Sequence, residues 1–151
     1  MLVGDVVVAS SFIAYIAPFN ATFRADLWEG KWTPDVVERK IPSTVGFKPM
    51  DLLTDASTTA FWRTEGLPAD PLSTENAAII VKAARFPLII DPQLQAIGWL
   101  VQRETPNGLI KLALGSKNYL DKVARAMEEG LPLVIENMGE SIDAVLDQMV
   151  A

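Results

Sequence analysis

The spacing of apolar residues changes character near residue 70. Before that point the pattern is helical and often interrupted. Residues 6–16 are apolar on nearly every side of a helix, which predicts a buried helix ended by Pro18. Residues 21–32 predict a second helix, with Phe23, Leu27 and Trp28 on one face. Pro34, Pro42 and Pro49 punctuate the next stretch and leave short helices at 35–40 and 50–54. Phe61 and Trp62 read as packing residues, and 66–71 is a turn-rich connector.

After residue 70 the pattern alternates. Ser73 is placed to cap a helix through Ala84, with Glu75 in its first turn. Residues 87–91 form a short apolar run, a buried strand, and 93–103 a helix, with Pro106-Asn107-Gly108 as a loop. Residues 109–114 are the next strand. Ser116 is placed to cap a helix through Glu129, which Gly130 stops. Residues 133–136 are a third strand, and Ser141 opens a last helix. Strands separated by helices predict a parallel sheet with crossover helices, an α/β core behind a mainly helical N-terminal portion.

The chain has 151 residues, enough for one domain with a real core, and half of them are apolar. Its net charge of -6 and thirteen scattered basic residues argue against a nucleic-acid partner. With no cysteine there are no disulfides, thiolate metal sites or thiol nucleophiles. With no histidine the commonest general base and any Ser-His-Asp triad go too. Residues 2–19 approach the length of a membrane span, but Asp5 interrupts them and no basic residue precedes Arg24. A helix buried within a larger assembly, with no membrane partner and a cytosolic location, is the expectation.

Two carboxylates, Asp91 and Glu136, fall at the C-terminal ends of predicted strands, the edge where parallel sheets bind ligands. They could hold Mg²⁺ in a small phosphoryl-transfer enzyme. Alternatively Asp91 caps the following helix. A phosphate loop needs glycines, a lysine and a hydroxyl, and no Gly-x-x-x-x-Gly-Lys-Ser/Thr occurs. The junction offers Pro92, Gln93, Leu94 and Gln95 instead, and Gly98 lies inside the helix. The third strand ends in Glu136-Asn137 where hydrolysis wants an acidic pair, and an amide cannot take a proton. Trp28, Trp32, Phe61, Trp62 and Trp99 read as core rather than as a stacking platform for bases.

Five separated runs occur in one order: Leu2-Val3-Gly4-Asp5-Val6; Gly66-Leu67-Pro68-Ala69-Asp70; Leu72-Ser73-Thr74-Glu75-Asn76; Phe86-Pro87-Leu88-Ile89-Ile90-Asp91-Pro92-Gln93 with Gln95-Ala96; and Pro132-Leu133-Val134-Ile135-Glu136-Asn137 with Glu140. Together they resemble the fifth AAA+ module of the dynein heavy chain, the microtubule motor. The chain departs from that pattern at Ala77, where the family often has Gly, and at Ala84-Arg85-Phe86, where it often has Arg-Arg-Trp. It departs again at Leu94, where Gly is frequent.

The resemblance implies a partial P-loop NTPase-like large subdomain over 71–151, with at least three parallel strands. Residues 1–70 would be its helical, stalk-proximal part. It implies a structural and mechanical role inside an ATP-driven ring, without catalysis in this segment. Asp91, Pro92, Gln93 and Gln95 would be the remnant of the phosphate loop, and Glu136 and Asn137 that of the acidic pair. ATP and Mg²⁺ would act at other modules, and no cofactor or metal is expected here. Partners would be neighbouring modules, stalk and linker, and microtubules through the parent, in the cytoplasm or a ciliary axoneme. The resemblance also implies a missing central strand, so 87–91 should pair with 132–136 or with a second copy of the chain. A freestanding interaction domain using residues 2–19 is the remaining alternative.

Overall fold

The computed structural model describes residues 2–139 and Leu146. Packing divides the chain into two units, Met1–Trp99 and Leu100–Ala151. The compositional break near residue 70 is a separate feature and falls inside the first unit.

The first unit is helical. Helix α1 (Val3–Tyr15) buries Val8, Ala9 and Phe12 on one face, with Ile16 just beyond its end. Its other face leaves Val3, Val6 and Val7 exposed, so within this chain the helix is covered on one side and not on most sides. Its entry depends on Gly4. The Gly4 N–H donates to the Pro42 carbonyl at 2.8 Å. A Cβ at Gly4 would lie 2.7 Å from Val36 Cγ1 and 2.9 Å from the Pro42 oxygen, so a side chain cannot enter without displacing main chain. Asp5 comes directly after it. Its carboxylate accepts the Leu2 N–H, the Thr44 N–H and the Thr44 hydroxyl, each at 2.8 Å. The Thr44 N–H foremost, then that of Leu2, holds the Asp5 carboxyl below its ordinary value.

Helix α2 (Ala21–Leu27) is capped by Asn20, whose side chain accepts the Phe23 N–H at 3.0 Å. It does not stop before Pro34. It widens into a π turn, Trp28–Trp32, and continues as α3 (Thr33–Glu38). Proline lacks an N–H and crowds the carbonyl one turn back, and the wider turn relieves both problems. The Thr33 N–H reaches back to the Trp28 carbonyl, and the Thr33 hydroxyl donates to the same oxygen at 2.7 Å.

Helices α4 (Pro49–Leu53), α5 (Ala56–Thr64) and α6 (Pro71–Lys82) complete the unit's helical body. Asp55 caps α5 through the Thr58 N–H at 2.7 Å. Asp70, rather than Ser73, caps α6, because Ser73 sits a turn inside and gives its N–H to Asp70 at 2.9 Å. Trp62 of α5 packs edge-to-face on Trp99 of α7 (Gln95–Glu104), with ring centres 5.8 Å apart and both rings buried. Phe61, expected to pack, is exposed instead.

Residues 87–91 are not a strand. The main chain of 84–90 makes no hydrogen bond to any described residue, and Phe86, Leu88 and Ile90 are 78%, 78% and 88% exposed. A strand is defined by its neighbour, and among the described residues this segment has none.

In the second unit β1 (Ile110–Ala113), α8 (Tyr119–Glu129) and β2 (Leu133–Glu136) form a crossover motif. The strands are parallel, in register from Ile110 opposite Leu133 to Ala113 opposite Glu136. Leu112, Val123 and Leu146 form the buried centre. Ser116 does not cap α8: Asn118, at φ 59, begins the helix, and the Ser116 hydroxyl is buried without a partner among the described residues. Gly130, at φ 65, ends it as expected. The sheet among the described residues therefore has two strands, not three. The helix expected from Ser141 lies outside the described residues, apart from Leu146. No helix among the described residues is long and apolar enough to cross a membrane.

Candidate functional site

The junction at 91–97 is the first place to look for ligand chemistry, because the N-terminus of a helix presents unpaired N–H groups suited to an anion. Here two of those donors are taken. Asp91 Oδ1 accepts the Gln95 N–H at 3.1 Å and Oδ2 accepts the Ile97 N–H at 2.9 Å. The intervening turn closes on the main chain, with the Leu94 N–H donating to the Asp91 carbonyl at 3.2 Å. Closing it requires Leu94 to adopt φ 59, the left-handed region that favours glycine. Pro92, Gln93 and Gln95 expose their side chains around the turn.

A nucleotide phosphate does not fit this arrangement. Asp91 already places an anion against the first turn of α7, and a second would be repelled. Pro92 has no N–H to offer, and Leu94 carries a side chain where main chain would have to approach. Asp91 thus acts as the helix cap that was one of its two sequence readings.

Glu136 ends β2, as expected, and is half-buried. Its carboxylate is paired with the Lys111 ammonium of β1 at 2.9 Å, and its carbonyl accepts the Leu114 N–H at 3.1 Å. Asn137, exposed and at φ 58, turns the chain away from the strand. Each candidate carboxylate is thus occupied by its own neighbours. Among the described residues no three acidic groups converge as a metal site would require. Phosphoryl transfer through Asp91 and Glu136 is not favoured by this geometry.

A stronger polar constellation escaped the sequence reading. Arg24 is buried, and its guanidinium donates to four acceptors. These are the carbonyls of Phe19 at 2.8 Å and Ala17 at 2.9 Å, Glu75 Oε2 at 2.9 Å, and Asn76 Oδ1 at 2.7 Å. The Ser73-Thr74-Glu75-Asn76 run therefore supplies acceptors to an arginine on α2, rather than a helix cap. No local spacing links residues 51 apart. The available signal was a lone arginine within an apolar and aromatic stretch, since a buried arginine demands partners.

The chain is similar in sequence to known proteins along its whole length. The family model described as the ATP-binding dynein motor region matches residues 60–151. The chain is 52% identical over 149 residues to the dynein beta chain of the flagellar outer arm of Chlamydomonas reinhardtii. It is 43% identical over 151 residues to dynein axonemal heavy chain 17 of Homo sapiens, and 41% identical over 151 residues to the dynein alpha chain of the Chlamydomonas reinhardtii flagellar outer arm. Each alignment covers 99% of this chain and 3% of the relative, so the chain spans a small part of the length of the relatives it matches.

Proposed function

The chain belongs to the dynein motor-region family, and from that premise we propose that it is a non-catalytic mechanical segment of a dynein heavy chain. In this reading it is the first part of the fifth AAA+ module. It packs against neighbouring modules and the stalk, and works in a microtubule motor whose ATP and Mg²⁺ are used elsewhere. The flagellar and axonemal names of its relatives support a place in the ciliary axoneme.

The observation that carries the reading is the Asp91 carboxylate bonded to the N–H groups of Gln95 and Ile97. A junction capped by its own anion keeps its shape without a nucleotide. Such a segment can pass a displacement between neighbours regardless of the nucleotide state of the motor. Calorimetric titration of the 151-residue chain with Mg-ATP tests it. No heat of binding at millimolar nucleotide is expected. Micromolar binding abolished by Asp91→Ala would overturn the non-catalytic role and restore the phosphoryl-transfer reading.

A further inference from the structure

Between residues 21 and 38 only Arg24 and Val36 are buried, at 2% and 4% exposure. They hold opposite ends of α1. Arg24 donates to the Ala17 carbonyl, just past the C-terminal end of α1, and to Glu75 and Asn76 of α6. Val36 packs on Gly4 at the other end, where it occupies the space a Cβ would need. We infer that the π turn at Trp28–Trp32 is a register device: it sets the rotation of α3 against α2 so that both residues face α1, and so locks α1, the α2–α3 helix and α6 into one unit.

An α-helix advances about 100° per residue. Arg24 and Val36 are twelve positions apart. An unbroken α-helix would set them about 120° apart, and one of them would leave α1. A π turn bonds its N–H groups one residue further back, so it holds one residue more and advances about 100° less. The two side chains then lie within roughly 20° of each other. Two further contacts report the same phase. The Thr33 N–H bonds to the Trp28 carbonyl, five residues back. Lys31 pairs at 3.6 Å with Asp26, also five residues back. In an α-helix that spacing turns two side chains apart, since neighbours lie three and four residues away. The Lys31–Asp26 pair is exposed and adds little stability, but it marks the width of the turn. Pro34 is tolerated by the π turn and does not impose it; the two buried anchors hold the phase.

Three variants of the 151-residue chain test the register. Pro34→Ala restores the missing N–H and removes the ring clash, so a turn imposed by proline would straighten. The π turn should instead persist, seen as an NMR coupling across the hydrogen bond from the Thr33 nitrogen to the Trp28 carbonyl carbon. Deleting Gly30 in the Pro34→Ala background removes the extra residue and leaves a continuous α-helix in the same phase. That chain should fold, keep slow amide exchange at Val8 and Ala9 of α1, and unfold within about 0.5 M urea of Pro34→Ala. Inserting one alanine after Gly30 in the same background rotates Val36 about 100° away. It should speed exchange at Val8 and Ala9 about tenfold or more and lower the urea midpoint by about 1 M or more. A Pro34→Ala chain whose helix straightens while α1 stays protected would overturn the inference. So would a Gly30 deletion as damaging as the insertion.

Discussion

Replacing Arg24 by methionine should be the most damaging single change in the helical unit. Methionine keeps most of the volume and all of the helical propensity, so the effect isolates the guanidinium. Its removal strands the Glu75 carboxylate, the Asn76 oxygen and the carbonyls of Ala17 and Phe19. Breaking a buried ion pair from one side costs about 3–5 kcal/mol. The Glu75 side chain is 21% exposed and keeps some water, which argues for the lower end, about 3 kcal/mol. Against a domain stability of roughly 5–15 kcal/mol that is a large loss. Urea unfolding followed by tryptophan fluorescence should show the midpoint falling by about 1–2 M, given the usual slope for a chain of this size. Adding Glu75→Gln removes the stranded charge, so the double variant should be more stable than the sum of the two single losses by about 1–2 kcal/mol. Moderate salt should change the single-variant loss little, because the pair is buried. A loss under about 1 kcal/mol for Arg24→Met, or strict additivity with Glu75→Gln, would refute the claim that this cluster joins α2 to α6.

The junction and the carboxylate caps each set a further expected outcome. Leu94→Gly should raise the urea midpoint, because it removes a left-handed penalty of about 1–2 kcal/mol and gives back about 0.5–1 in chain entropy; unchanged or lowered stability would mean that the turn is not strained. The Asp5, Asp55 and Asp70 carboxyls are held below the ordinary 3.8, chiefly by the Thr44 N–H, the Thr58 N–H and the Ser73 hydroxyl. The folded state therefore binds fewer protons than the unfolded one. Stability should be flat down to about pH 4 and fall as the pH drops through the lowered folded values, less steeply in Asp5→Asn; a midpoint that rises on acidification would contradict the assigned bonds.

Elements whose hydrogen bonds close locally were legible in the sequence. The helices around residues 3–15, 71–82 and 119–129 and the Gly130 stop come from period and breakers, which act over a few residues. The five ordered runs carried the family, because motif order needs no coordinates. The carboxylate at the junction was readable as a cap from Asp-Pro-Gln alone, but its second bond, to Ile97, depended on Leu94 entering the left-handed region.

What the tertiary structure decided rests on partners distant in the chain. Arg24 and Glu75 meet across 51 positions, and nothing local in either run announces the other. Gly4 is glycine because Val36, Pro42 and Ser43 arrive from elsewhere to fill the space of its absent side chain. Pro34 failed to break its helix because the π turn and Thr33 absorb the missing bond. Residues 87–91 have a strand's composition and no strand's structure. Side-chain pattern states a preference for pairing, and only an adjacent main chain can satisfy it.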